Sequence, residues 1–201
     1  MTDIPTPTYE VLQHLSDERF TLLKRYAEIL ATKGIEWGLL GPHEAERIWE
    51  RHLLNSLALA SLISQGATVV DVGSGAGLPG IPLAINCPAL QVVLLEPLLR
   101  RHTFLVETVE DLGLASQIEV VRGRAEDHHK QYQYVVCRAV APLTKLLQWC
   151  LPLLTAGGEL LALKGKTVNQ ELTKVLPQLR RANLAADIVT LPGNTFVVRV
   201  H

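Results

Sequence analysis

The sequence predicts one α/β protein, a doubly wound sheet of parallel strands with an N-terminal helical extension. Three observations carry this. From residue 67 onward, apolar runs of strand length alternate with helix-length segments, at 67–72, 91–95, 118–121, 134–137 and 158–163. A glycine-crowded turn, Asp71-Val72-Gly73-Ser74-Gly75-Ala76-Gly77-Leu78-Pro79-Gly80, joins the first of these runs to the helix that follows. Ahead of residue 65 the apolar residues recur only at helical spacing. The boundaries that follow are a helical extension over 1–64 and a cofactor-binding domain over 65–201, together one compact unit. A chain of 201 residues with 48% hydrophobic and 19% charged residues builds one core and a modest extension, not two full domains.

Residues 8 to 64 read as entirely helical. Ser16 is the N-cap of a helix that carries Phe20, Leu23, Ala27 and Leu30 on one face, and Gly34 suits its C′ position. Pro42 opens a second helix, in which Trp49, Leu53, Leu57 and Ala60 recur. The βα alternation then implies parallel strands joined by crossover helices. Gly157-Gly158 turns the chain into its fifth strand, and the tail over 187–200 offers two more short apolar segments around Pro192-Gly193.

Composition excludes several classes. No apolar run approaches the roughly 18 residues of a membrane span, and the N-terminus lacks the basic start and apolar core of a signal peptide. Cys87, Cys137 and Cys150 are odd in number and lack CxxC spacing, so they read as reduced thiols of a cytoplasmic protein. Neither they nor the seven histidines show metal-ligand spacing, and His128-His129 reads as a solvated pair. The formal charge of −1 is not that of a basic nucleic-acid binder. Its distribution matters more: Arg100, Arg101, Arg122, Arg124, Arg138, Lys145, Lys164 and Lys166 all fall near the C-terminal ends of strands, which share one edge in an open parallel sheet. That edge is either a cationic rim for a phosphate-rich substrate or ordinary surface charge.

Two cofactors fit the glycine turn. Its glycines let the backbone take positive φ or lie against a ligand, and the helix N-terminus beyond offers unpaired N–H groups. Read from Gly75, the spacing Gly75-x-Gly77-x-x-Gly80 is the dinucleotide fingerprint, with Glu96 about 20 residues on as the ribose acid. Read from Asp71, the pattern acid-apolar-Gly73-x-Gly75-x-Gly77 is the first motif of S-adenosylmethionine-dependent methyltransferases, and Glu96 again takes a ribose diol. Asp71 separates the two, because an acid inside the strand repels a pyrophosphate but suits a ligand bearing an amino group and a sulfonium. The turn therefore points to S-adenosylmethionine. The alternatives are an NAD-binding oxidoreductase, a non-catalytic nucleotide-binding module, and a purely structural turn.

The end of the fourth strand narrows the chemistry. Methyltransferases that act on the amino groups of adenine or cytosine carry Asn/Asp-Pro-Pro-aromatic there, whereas this chain has Cys137-Arg138-Ala139-Val140-Ala141-Pro142. C5-pyrimidine methylation needs an activated thiolate, and a Cys137 buried in an apolar strand end is inert. A site without base or nucleophile is consistent with methylation of guanine N7, whose in-plane lone pair has no proton to lose and needs only alignment. No catalytic side chain is expected beyond positioning, with Arg138 as the main contributor. Arg138 either meets cofactor and substrate with its fixed fork or braces the site by pairing with Asp71 or another acid. His52 and Ser56, one helical turn apart, and Asn55 between them either cap the pocket or stitch the helices to the sheet.

Five segments occur in one order: Glu50-Arg51-His52-Leu53-Leu54-Asn55-Ser56-Leu57, Val70 to Leu83, Arg124-Ala125-Glu126-Asp127, Cys137-Arg138-Ala139-Val140-Ala141 and Ala162-Leu163-Lys164-Gly165. Together they resemble the RsmG family, also called glucose-inhibited division protein B, from about residue 20 to 200. The resemblance implies a Rossmann-like methyltransferase sheet and methylation of N7 of one guanine in bacterial 16S rRNA, with S-adenosylmethionine as cofactor. It implies the small ribosomal subunit or its precursor as partner, a cytoplasmic location, no membrane and no stable protein partner; the alternative substrate is a small molecule. It assigns cofactor contacts to Gly73, Leu78, Ala125, Glu126 and Arg138, with Ala125 and Glu126 framing the adenine, beside the Asp71, Gly75 and Glu96 contacts read from the glycine turn and the next strand. RNA contacts fall to Arg51, His52, Arg124, Lys164 and Lys166. The family's helical motif reads Arg-His-x-x-Asp-Ser, and Asn55 stands here in the acid's place, so only a hydrogen-bonding role carries over.

Overall fold

Ser16 starts the first helix as its composition requires, its Oγ accepting from the Arg19 N–H at 3.4 Å. The protein is described from a computed structural model covering Leu12 and residues 15–201; the rest of the helical reading, residues 8–11, 13 and 14, lies outside the described residues. Helix α1 (Asp17–Ile29) buries Leu23, Tyr26 and Ala27. It does not stop at Gly34. A π turn over Leu30–Gly34 carries the helix on, and the left-handed residue that ends it is Gly38, at φ 68°. Gly34 is buried against Leu30, and its carbonyl accepts from the N–H groups of Leu39 and Leu40, so the chain turns one helical turn later than the first glycine signalled.

Pro42 likewise does not open a helix. It lies in a turn closed by Glu44 N–H to Gly41 O, and its fixed φ serves that turn equally well. The following segment winds as a 3₁₀ turn (Ala45–Arg47), a π turn (Ile48–Leu53), helix α2 (Leu54–Ala58) and a second 3₁₀ turn (Leu59–Leu62). Trp49, Leu53 and Leu57 are buried as the spacing predicts, and Ala60 is half-buried.

The alternation that follows comprises β1 (Thr68–Val72), α3 (Gly80–Asn86), β2 (Gln91–Leu95), α4 (Leu99–Asp111), β3 (Ile118–Val121), β4 (Tyr132–Arg138), α5 (Leu143–Cys150), β5 (Leu154–Lys164) and α6 (Val168–Arg181), then β6 (Ala186–Leu191) and β7 (Thr195–Val200). The sheet order is β3-β2-β1-β4-β5-β7-β6. The first five strands are parallel, whereas β7 runs antiparallel to both β5 and β6. The two apolar tail segments are thus a hairpin inserted at the β5 edge. Gly157 and Gly158 lie inside β5, where the register against β4 slips from Tyr132↔Leu154 to Tyr134↔Glu159, and not ahead of it.

Pleating sends successive β1 residues to opposite faces. Val69 joins the core made with α1, α2, α3 and α4, in which Tyr26, Leu53, Leu57, Ile81, Leu94 and Phe104 are buried. Val70 and Val72 join the other core, with Leu143, Leu147, Val175 and Leu179 of α5 and α6. The N-terminal helices therefore cover the α3/α4 face, where the ion pairs Arg25–Asp111 (2.5 Å) and Lys33–Glu107 also join α1 and the π turn after it to α4. The chain runs outward from β1 to β3 and then returns to β4 beside β1, so the topological switch point lies between β1 and β4.

Candidate active site

The crevice at that switch point opens into two adjoining cavities. The first, about 700 Å³, is lined by Gly73, Ser74, Gly75, Ala76 and Leu78 from the glycine loop, Glu96 and Leu98 after β2, Gly123 to Glu126 after β3, and Arg138 to Val140 at the end of β4. The second, about 1100 Å³, is lined by Glu44, Arg51, His52 and Asn55 from the helical segment, Lys164 and Lys166 after β5, Glu171 and Lys174 of α6, and Phe196 of β7. Arg138, Ala139 and Val140 belong to both, as do Leu39 and Leu40.

The glycine loop is held from both sides. Tyr26 of α1, fully buried, donates its hydroxyl to Ala76 O at 2.7 Å. Below the loop, Asp71 Oδ2 accepts from Gly80 N–H at 2.9 Å, and Ser74 Oγ donates to Asp71 O at 2.7 Å. A Cβ on Gly80 would come within 2.4 Å of Leu94 Cδ2, so this glycine lets α3 sit down on the sheet. Gly73 takes φ 69°, and a Cβ there would meet the Val140 methyls at 2.9 Å. Two sequence expectations change. Asp71 does not reach the cavity, and the first N–H of α3 is taken by that carboxylate, not held open for a ligand. A buried acid at the helix start leaves no seat there for a pyrophosphate, which adds to the argument against the dinucleotide.

Burial pushes the Asp71 carboxyl up to about 7, with Gly80 N–H and the Arg138 charge pulling it down and Glu96 adding to the rise. Its Oδ1 is buried without a hydrogen-bond partner among the described residues. A raised folded-state value means the folded protein binds the proton more tightly, so stability falls as pH rises from about 4 to about 7 and levels off above, a change on the order of 4 kcal/mol. Asp71→Asn should remove this slope. Urea unfolding of both proteins at pH 5 and pH 8 tests it, and equal pH dependence would refute it.

Among the described residues, Glu96 is the one buried carboxylate of the first cavity. Its Oε2 accepts from Gly75 N–H and its Oε1 from Leu98 N–H, both at 3.0 Å. Each oxygen keeps a further lone pair for a hydroxyl. Ala125 and Glu126 stand on the 3₁₀ turn Ala125–Asp127, Ala125 buried and Glu126 exposed, both on the cavity wall.

Arg138 makes no ion pair with Asp71. Its Nη1 donates to the carbonyls of Arg51 (3.4 Å) and His52 (3.3 Å), and its Nη2 donates to His52 Nδ1. The other imidazole nitrogen lies 2.7 Å from Glu44 Oε2. Burial first, then the Arg138 charge, lowers the His52 value to about 4 against the Glu44 hydrogen bond, so the ring is neutral. Ser56 Oγ donates to His52 O, and Asn55 donates to Arg51 O while accepting from Thr195 Oγ1 at 2.7 Å. Asn55 thus uses both ends of its amide, tying α2 to β7; the donor end is one a carboxylate lacks. These hydrogen bonds tie the helical segment to β4 and β7.

The cationic edge is smaller than the sequence suggests. Lys164 donates to Ala141 O (2.8 Å) and Glu171 (2.9 Å) with its side chain 8% exposed, and it braces the loop after β4. Arg124, Lys166 and Arg51 are exposed on the cavity walls, although Arg51 pairs with Glu44 at 2.8 Å. Lys174, exposed on the second cavity and overlooked in the sequence, joins them. His128 is not simply solvated: it stacks on Tyr132 and lies 2.8 Å from its hydroxyl. Cys137 is buried, and its hydrogen bond with Cys150 together with burial pushes its thiol well up.

The family model GidB, described as rRNA small subunit methyltransferase G, matches residues 19–186. The chain belongs to this family. Ribosomal RNA small subunit methyltransferase G of Mycobacterium leprae (strain TN) is 55% identical over 169 residues, covering 82% of this chain and 68% of the relative. The GidB-family protein of the same description from Thermobifida fusca is 48% identical over 209 residues, covering the whole chain and 87% of the relative. Among solved structures, a ribosomal protein L11 methylase from Lactobacillus delbrueckii superposes with a TM-score of 0.58 at 18% identity, covering 74% of this chain and 76% of that one. A SAM-dependent methyltransferase from Geobacter sulfurreducens in complex with S-adenosyl-L-homocysteine gives 0.53 at 16% identity, covering 68% and 65%. These likenesses show the Rossmann-like methyltransferase fold. GidB membership does not favour the oxidoreductase, nucleotide-module and small-molecule alternatives. Among the described residues no helix is long and apolar enough to cross a membrane.

Proposed function

We propose that this GidB-family methyltransferase transfers the methyl group of S-adenosylmethionine to N7 of one guanine in 16S rRNA of the small ribosomal subunit, in the cytoplasm. The observation that carries the reading is the pair of cavities sharing the Arg138–Val140 wall, one with a cofactor's donor set and one with cationic walls. The residues present suit the cofactor. Glu96 offers a buried carboxylate to a ribose diol, and Gly73 leaves room where a Cβ would fill the gap to Val140. Gly75, Leu78, Ala125 and Glu126 complete the wall, the last two framing the adenine. When bound, the cofactor supplies a sulfonium methyl to a nucleophile placed in line with it. The described residues up to 64 serve as a helical extension of a single methyltransferase unit.

N7 chemistry suits the shared wall because, among the described residues, no base stands there. His52 has both nitrogens engaged, Cys137 is buried, and Arg138 presents donors only. The chain's residues are left to bind, align and exclude water, which is what a lone pair with no proton to lose requires.

Labelled methyl transfer to small ribosomal subunits from cells lacking this protein should mark one guanine, located by strand cleavage at N7-methylguanine. A mark on an exocyclic amine or a pyrimidine carbon refutes the N7 reading, and methylation of a free metabolite with RNA untouched refutes the substrate class. Subunit binding should weaken with salt, and Lys166→Ala with Lys174→Ala should flatten the log–log slope by about one per lysine. Lys164→Ala should lower thermal stability instead, since it leaves Glu171 and Ala141 O without their shared donor.

A further inference from the structure

Arg138 offers only donors, so the His52 Nδ1 that it reaches must carry a lone pair. The one imidazole proton then sits on Nε2 and is donated to Glu44 Oε2 at 2.7 Å. The hydrogen bonds therefore run one way, from Arg138 to His52 to Glu44. The charged groups that face His52 are Arg138 from β4, Glu44 from the turn after Gly41, and Arg51 on its own element, paired to the other Glu44 oxygen. Glu44 closes the segment whose Leu39 and Leu40 line both cavities.

We propose that Glu44 is a positioning residue for methyl transfer: by holding the proton on His52 Nε2 it keeps Nδ1 an acceptor, which fixes the Arg138 guanidinium in the wall between the two cavities. Nη1 rests on backbone carbonyls and is fixed by the fold. Nη2 depends on the tautomer. Without Glu44 the ring is free to put its proton on Nδ1, where it would face the guanidinium donor against donor. The proposal rests on the methyl-transfer reading for its effect on turnover, but not for the tautomer itself.

A double-mutant cycle on the full-length protein tests it, with turnover measured on small ribosomal subunits and folding checked by thermal unfolding. Glu44→Ala should lower turnover about tenfold or more with little change in the melting temperature. His52→Gln, whose amide reaches toward Glu44 but not toward Arg138, should do the same. His52→Asn, which sets a carbonyl oxygen where Nδ1 stood, should recover most of what His52→Gln loses. In the His52→Asn background, Glu44→Ala should add less than a threefold loss. Strictly additive losses would overturn the proposal, as would normal turnover in Glu44→Ala. The long-range ¹H–¹⁵N spectrum of the His52 ring gives a readout free of activity: Nε2-protonated and neutral in the wild type at pH 7, mixed in Glu44→Ala. A wild-type ring protonated on Nδ1, or one that Glu44→Ala leaves unchanged, would also overturn it. A wild type that transfers no methyl to the subunits defeats the functional reading alone, and the spectrum still decides the relay.

Discussion

Arg138→Ala is expected to lower methyl transfer about 100-fold while changing cofactor affinity much less. The guanidinium is held by three acceptors, two of them backbone carbonyls 87 and 86 residues away in sequence, and it forms part of the wall common to both cavities. Truncation removes the fork and leaves His52 Nδ1 without its donor. The reacting groups then lose a fixed boundary, and a misplacement of about 1 Å costs on the order of 10²-fold in rate. Arg138→Lys should not rescue, because one ammonium on a flexible stem cannot satisfy acceptors arranged for a planar fork. Single-turnover transfer to subunits, beside calorimetry with S-adenosylhomocysteine, separates the two effects. Transfer within threefold of wild type would mean that Arg138 only stitches the helices to β4.

Glu96→Gln is expected to weaken cofactor binding by about 1.5–3 kcal/mol, or roughly 10- to 150-fold. The shape is kept, but the amide has one acceptor oxygen where the carboxylate has two. Gly75 N–H and Leu98 N–H each point at one of those oxygens, so the amide NH₂ must face a donor on one side. The glycine loop loses an anchor and the ribose loses a charged acceptor in the same substitution. Glu96→Ala should go further. Calorimetric titration with S-adenosylmethionine measures both, and unchanged affinity would place the ribose elsewhere.

What the sequence determined by itself is local or periodic. The strand–turn–helix around Asp71–Gly80 was legible because glycines that permit positive φ are rare signals at fixed spacing, and Glu96 was legible because it ends the next strand. Five parallel strands followed from the alternation, and Ser16 followed from capping chemistry within one turn. The helix stop at Gly34 and the helix start at Pro42 were misplaced for the same reason: both residue types serve turns and helix ends alike, and packing chooses between these uses.

Tertiary structure alone decided the charges and the partners. Arg138, Lys164, Arg124 and Lys166 look equivalent as basic residues near strand ends. The fold ties up the first two, half-buried, on carbonyls, His52 and Glu171, and leaves the others exposed. Tyr26 and Ala76 are 50 residues apart, Arg138 and His52 are 86 apart, and Asn55 and Thr195 are 140 apart. No local spacing encodes such pairs. A side chain's desolvation, and with it whether a cation is free to meet a phosphate or is bound to its own protein, depends on which distant segments the sheet brings to the same edge.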